Sequence, residues 1–128
     1  MSHASASSSP DVVVVGGGPA GSIAAARLAQ LGHSVVVLER ERFPRYHIGE
    51  SLLSATMPIL EAVGVMPKVE AHGFLPKPGG TFQWGRHAEP WSFWFREDPG
   101  GRTHAFQVIR SEFDEILLRH AAESGADL

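Results

Sequence analysis

At 128 residues, 43% hydrophobic and 20% charged with a formal net charge of −3, the chain has the size and composition of one globular domain, not of a disordered or membrane protein. The slightly acidic balance gives no basic footprint for nucleic acid, and no apolar run is long enough to span a bilayer. Cysteine is absent, which excludes disulfides, a thiolate nucleophile and a zinc–thiolate site.

The polar stretch MSHASASSSP lacks the apolar segment of a signal peptide. Residues 1–10 are expected to be a disordered tail, and a cytoplasmic location follows by default. Asp11-Val12-Val13-Val14-Val15 is a continuous β-branched run, as in a parallel strand buried on both faces. Gly16 to Gly21 (GGGPAG) breaks it. Ser22 to Leu31 reads as a helix of small residues ended by Gly32, and Ser34 to Leu38 is a second strand closing on Glu39. Strand, glycine turn, helix and strand make a βαβ unit.

Each glycine of the turn has its own work. Gly16 permits the tight turn, Gly18 lets backbone approach a pyrophosphate, and Gly21 lets helix and strand pack closely. Pro19 and Ala20 complete the fingerprint at the helix N-terminus, where free N–H groups and the dipole favour phosphate. Glu39, about 20 residues on, is placed to accept from a ribose 2′-OH and to repel a 2′-phosphate. Ala25 and Gly32 keep two further close-packing positions small. FAD and NAD present the same ADP moiety to such a unit, so the glycines alone leave the two open. No lysine of the ATPase type follows the glycines.

The next stretch, RFPRYHIGESLL, is more than a short connector needs. Arg40, Arg42 and Arg45 can face phosphate or ribose, Pro44 stiffens the segment, His47 can touch a flavin, and Gly49 lets backbone pass a flat ring. A charged surface loop leading to a helix cap accounts for the same residues. Thr56 to Val63 reads as a helix closed by Gly64, with Pro58 near its start, and residues 76–80 (PKPGG) as a loop. Thr81–Gly85, Ser92–Arg96 and Ala105–Ile109 read as strands. Trp91, Phe93 and Phe95 then face one side, Ser92, Trp94 and Arg96 the other. Packing in an antiparallel sheet explains most of these aromatics better than a substrate pocket. Ser111 to Asp114 resembles a capping box with Asp in place of Glu. The carboxylates Glu112, Asp114 and Glu115 suit a helix first turn. Phe113, Ile116, Leu117, His120 and Ala121 share one face of a helix that Gly125 stops. The seven histidines show no metal-binding spacing. The final residues reach the start of another strand with only two sheet strands seen, which suggests the N-terminal portion of a longer protein.

The run GGGPAGSIAAARLAQLGHSVVVLERERFPRYHIGESLL, with HGFLPKPGGTFQWG, EPWSFWF and FQVIRSEFDEILL, is similar to the N-terminus of flavin-dependent halogenases acting on phenolic, pyrrolic or carrier-tethered groups. HIGESLL and GFLPKPGGTFQWG discriminate best. The resemblance covers residues 11–128. It implies an α/β fold: a Rossmann-type FAD-binding unit with parallel strands, then an antiparallel strand region, cut from a larger flavoprotein monooxygenase-like fold. By the same resemblance Arg40 to Ser51, Ile48 included, is the strap lying against the isoalloxazine. Lys77 matches the active-site lysine and Arg110 the arginine preceding the FDxxL helix. Reduced FAD would come from a separate flavin reductase. Oxygen and halide would yield hypohalous acid, and Lys77 would capture or hold it before an electron-rich aromatic carbon attacks. Burial would favour the neutral, nucleophilic amine. The family's W-x-W-x-I-P motif is not in this sequence, and Trp91 and Trp94 are spaced differently; nor are its later Gly-Asp segment and halide site here. These residues alone are expected to be inactive. An FAD-dependent hydroxylase or oxidoreductase of the same fold is the alternative, with Lys77 incidental.

Overall fold

The computed structural model describes residues 9–86, 89–100 and 102–128; most of the expected N-terminal tail lies outside them. Two compact units emerge. One combines the chain up to Arg42 with Leu117–Leu128; the other is Phe43–Ile116.

The first unit holds β1 (Val12–Val15), α1 (Pro19–Gln30) and β2 (Val35–Leu38). β1 and β2 pair in parallel, Val12 opposite Val35 and Val15 opposite Leu38, as the βαβ reading expects. On the other side of β2, Asp127 forms a parallel bridge to Val36. Its backbone exchanges hydrogen bonds with Val35 and Val37 at 2.9 and 2.7 Å, so an isolated bridge forms where the sequence placed the start of a strand.

Burial departs from the expectation. Val35 and Val37 are buried, but Val13 is 51% and Val15 84% exposed. The register aligns Val14 with Val37, and α1 packs on that face, with Gly21 close to the Val14 side chain. Among the described residues the face carrying Val13 and Val15 is left exposed. An unbroken valine run carries no sign of which face is covered. Helix α1 starts three residues earlier than expected because Pro19 occupies its first turn, where a missing N–H costs nothing. Ala25 is buried as the small-residue pattern requires. Gly32 is different: it is exposed, and a Cβ there would meet nothing within 4 Å. Its φ of +91°, not close packing, calls for glycine.

The second unit contains α2 (Thr56–Ala62), α3 (Met66–His72), β3 (Leu75–Lys77), β4 (Gly79–Phe82), β5 (Trp91–Trp94), a 3₁₀ turn (Phe95–Glu97), β6 (Ala105–Gln107) and the first turns of α4 (Arg110–Glu123). Its core includes Met57, Leu60, Val65, Val69, Phe74, Phe106, Val108 and Phe113. Each such side chain contributes about 1.5–3 kcal/mol by leaving water. Phe74 and Phe113 meet edge to face at 6.0 Å.

Three readings change here. α3 follows Gly64 directly and has Pro67 in its first turn, where proline starts a helix instead of breaking it. The PKPGG segment is strand, not loop, on both sides of Pro78, which joins β3 to β4. Pro76 pairs with Phe106 in β3–β6, and proline is tolerated because β3 is an edge strand among the described residues. Gly79 and Gly80 open β4 against Trp94 and Phe93. A Cβ on Gly79 would stand 2.1 Å from the Phe93 carbonyl oxygen, so glycine here serves tight pairing. The third change concerns Ser111. It lies inside α4, which begins at Arg110, so the capping box is not formed and the Asp114 carboxylate is used elsewhere.

Candidate functional site

In the first unit the glycine turn is a cradle made of backbone. Gly16 has φ +103°, and its N–H donates to the Leu38 carbonyl at 2.8 Å. A Cβ on Gly21 would lie 1.9 Å from the Gly16 carbonyl oxygen, so no other residue fits without moving the turn. Gly18 is the N-cap of α1, followed by Pro19 and Ala20, and no acid stands in the first turn. The Ser22 hydroxyl, fully buried, donates to the Gly17 carbonyl at 2.9 Å and braces the loop. A helix of 12 residues with an uncharged glycine turn at its N-terminus suits a phosphate. Glu39 joins the same cradle. One carboxylate oxygen accepts from the Gly17 N–H at 2.7 Å, the other from the Glu41 N–H at 2.9 Å. Glu39 thus orders the turn and stands at its rim, where a carboxylate can accept from a ribose hydroxyl. Arg40 is exposed, 3.9 Å from Glu41. These features fit the ADP part of a dinucleotide.

In the second unit the residues expected to form a strap are held by side chains. The Phe43–Pro44 peptide is cis. Arg45 stacks its guanidinium 4.5 Å from the centre of the Phe43 ring and donates to Asp114 Oδ2 at 2.9 Å. Arg110 donates to Asp114 from Nε and Nη2, at 2.7 and 2.9 Å, and from Nη1 to the carbonyls of Ile48 and Gly49, at 2.7 and 3.3 Å. Gly49 has φ +99°, and a Cβ there would come within 3.1 Å of Arg110 Nη1. The His47 ring meets the Ile48 carbonyl at 2.7 Å and is exposed. The strap then joins a sheet: Ser51 bridges Gln107 antiparallel, Leu52 N–H donates to Phe106 and Val108 N–H to Glu50.

That bridge brings Lys77 and Ser51 together. Lys77 is opposite Ala105 and Leu75 opposite Gln107, while Ser51 lies across from Gln107 on the other edge of β6. Directly paired residues share a face, so Lys77 and Ser51 project to the same side of β6 as Ala105 and Gln107. The lysine Nζ donates to Ser51 Oγ at 2.6 Å and lies 5.3 Å from the centre of the Phe95 ring. Burial draws its pKa below the ordinary lysine value by disfavouring the charged form. An amine so placed can donate when protonated and attack an electrophile when neutral.

Two residues of this arrangement escape a reading by motif. Asp114 looks like a helix-start carboxylate; its spacing from Arg110, four residues on a helix, is the sign that it pairs instead. Phe95 has no local signal, since its approach to Lys77 depends on the β4–β5 ribbon. Along that ribbon Phe82 stacks on Trp84 at 5.0 Å, and Trp91, Phe93 and Phe95 follow in a row, one face as the alternation requires. A shallow groove of about 250 Å³ runs beside Pro78, Gly80, Phe93 and Trp94. Among the described residues no group of acids and histidines could hold a metal, and no helix is long and apolar enough to cross a membrane.

The tryptophan halogenase family model matches residues 11–102. The chain is 50% identical to the flavin-dependent halogenase armH4 of Armillaria mellea, over 91% of its own length and 23% of that protein. It is also 50% identical to a tryptophan 2-halogenase of Chondromyces crocatus, over 92% and 22%. The structure of the myxobacterial chondrochloren halogenase CndH superposes with a TM-score of 0.85 and 47% identity, over 92% of this chain and 28% of that one. The chain therefore spans less than a quarter of the length of these curated relatives.

Proposed function

The chain belongs to the tryptophan halogenase family, and from that membership we propose that residues 11–128 are the N-terminal, FAD-binding portion of a flavin-dependent halogenase. Gly16, Gly18, Pro19, Ala20, Gly21 and Glu39 hold the ADP part of FAD. Arg40, Arg45, His47, Ile48, Gly49, Ser51 and Arg110 serve the strap on its flavin side. When bound in reduced form, FAD supplies the electrons that activate oxygen against halide. Lys77 handles the resulting hypohalous acid: as an ammonium it donates a hydrogen bond to the acid, as a neutral amine it takes the halogen and water leaves. An electron-rich aromatic carbon then attacks the halogen, the halogen–oxygen or halogen–nitrogen bond breaks, and the ring loses its proton. Reduced FAD comes from a separate flavin reductase, and the substrate is a small aromatic, free or tethered to a carrier protein. The enzyme works in the cytoplasm.

The observation that most supports this reading is the Lys77–Ser51 contact. It joins the lysine to the strap by one hydrogen bond, and burial enlarges the neutral fraction of the amine.

The test uses the complete protein with reduced FAD, oxygen, chloride or bromide and a phenolic probe, read by mass spectrometry. Halogenated product from wild type, reduced about 100-fold or more in Lys77→Met with FAD binding unchanged, is the expected result. Equal halogenation by Lys77→Met would remove the lysine from the reaction. Hydroxylated product without halogenated product would make the protein a hydroxylase of the same fold.

A further inference from the structure

We propose that Asp114 is a positioning residue for the strap, gathering Arg45 and Arg110 onto one buried carboxylate so that residues 45–49 are preformed before FAD arrives. In this role Arg45 and Arg110 act through the backbone they hold and not as direct ligands of the cofactor. The inference rests on the proposed FAD site for its purpose, but not for its mechanics.

The argument starts from the carboxylate. Asp114 is 0% exposed, and a buried charge survives only when paired and hydrogen-bonded. Three charge-assisted bonds reach it from two guanidiniums. Arg45 lies 69 residues away in sequence, so this bond ties strap to helix. Arg110 contributes differently. Its fork is committed to Asp114 through Nε and Nη2, which leaves Nη1 aimed at the Ile48 and Gly49 carbonyls. Four of the five guanidinium hydrogens are thereby engaged. A bidentate grip on a pyrophosphate would require breaking bonds to Asp114 or to the Ile48 and Gly49 carbonyls.

Gly49 supports the same reading from the strap side. Its left-handed backbone turns the two carbonyls toward Arg110, and a side chain there would crowd Nη1. The far end of the strap is fixed by the bridge to β6. Between Ile48 and Arg45 no sheet pairing exists among the described residues, and the clamp reaches them where the sheet does not. Exposed Tyr46, His47 and Ile48 are thus presented on a fixed backbone, which lowers the ordering cost that a ligand would otherwise meet.

The experiment compares the complete apoprotein with Asp114→Asn by amide hydrogen exchange and by trypsin cleavage after Arg45. It then measures FAD affinity by fluorescence. Exchange in residues 45–50 should rise roughly tenfold or more, with cleavage at Arg45–Tyr46 appearing, while α2 and α3 exchange as before. FAD affinity should fall about tenfold for loss of the preformed strap. Unchanged exchange in a folded Asp114→Asn protein overturns the proposal, as does freed exchange with unaltered FAD affinity. Should Asp114→Asn fail to fold, Arg45→Met decides. It leaves Asp114 its two bonds from Arg110, so a several-fold rise confined to residues 43–47 supports the clamp, and none overturns it. If wild type binds no FAD, the cofactor reading fails, while the exchange result on the apoprotein still judges the clamp.

Discussion

The glycine turn at Gly16–Gly18, which leads into α1, and residues 43–49 of the expected strap are both short irregular stretches, and they are held by different means. The turn is shaped by what is missing. Its geometry follows from glycine φ values and from a Cβ position that a carbonyl oxygen already fills. The strap is shaped by what reaches it from elsewhere: Asp114, Arg110 and a backbone bridge to Gln107. A segment of the first kind takes its shape from its own backbone, with Glu39 at the end of the paired strand bracing it. One of the second kind is only as fixed as its most distant partner.

The largest effect should come from the strap's distant partner. Asp114→Ala removes the buried carboxylate shared by two guanidiniums only 11–12% exposed, and breaking a buried pair from one side costs about 3–5 kcal/mol. Urea unfolding should show that loss, and the triple variant Arg45→Met, Arg110→Met, Asp114→Leu should recover most of it without restoring strap order. A loss below about 1 kcal/mol would mean that the strap does not depend on side chains, and the contrast would fail. Next comes Gly21→Ala in the turn. Its Cβ meets backbone, not a yielding side chain, so the cost should sit near the upper end of overpacking, about 3 kcal/mol, with nucleotide affinity lost as well. Gly32→Ala, in open space but at positive φ, should cost only about 1 kcal/mol. If Gly21→Ala and Gly32→Ala prove equal, close packing is not what selects glycine in the turn.

This contrast also explains what could be read without coordinates. The turn, both strands of the βαβ unit and the buried face of α4 are local patterns, and each formed within a few residues of its expected limits. Lys77 was matched by resemblance, but its strand was not anticipated. Two prolines and two glycines signal a loop locally, and only the pairing of Pro76 with Phe106 and of Gly79 with Trp94 makes them strand. The one-sided burial of β1 has the same origin, because identical valines do not tell which of them α1 will cover. Asp114 was legible as a helix-start residue and hidden as the strap's anchor, since Arg45 lies 69 positions away.

The smallest expected effect tests Lys77 by pH. Burial holds its pKa below the unfolded value of about 10.4, so between the two values the unfolded chain binds more protons. Stability relative to Lys77→Met must then rise as pH climbs through that window. Below the window the amine is charged in both states and the desolvation penalty is present in full; above it the penalty is gone. Paired urea titrations of wild type and Lys77→Met from neutral to pH 11 would read this difference. A relative fall in wild-type stability over the same range would mean that the bond to Ser51 outweighs burial and favours the ammonium. Lys77 would then be a strap contact like Arg45, fixed by its partner, and not an amine eased toward its neutral form.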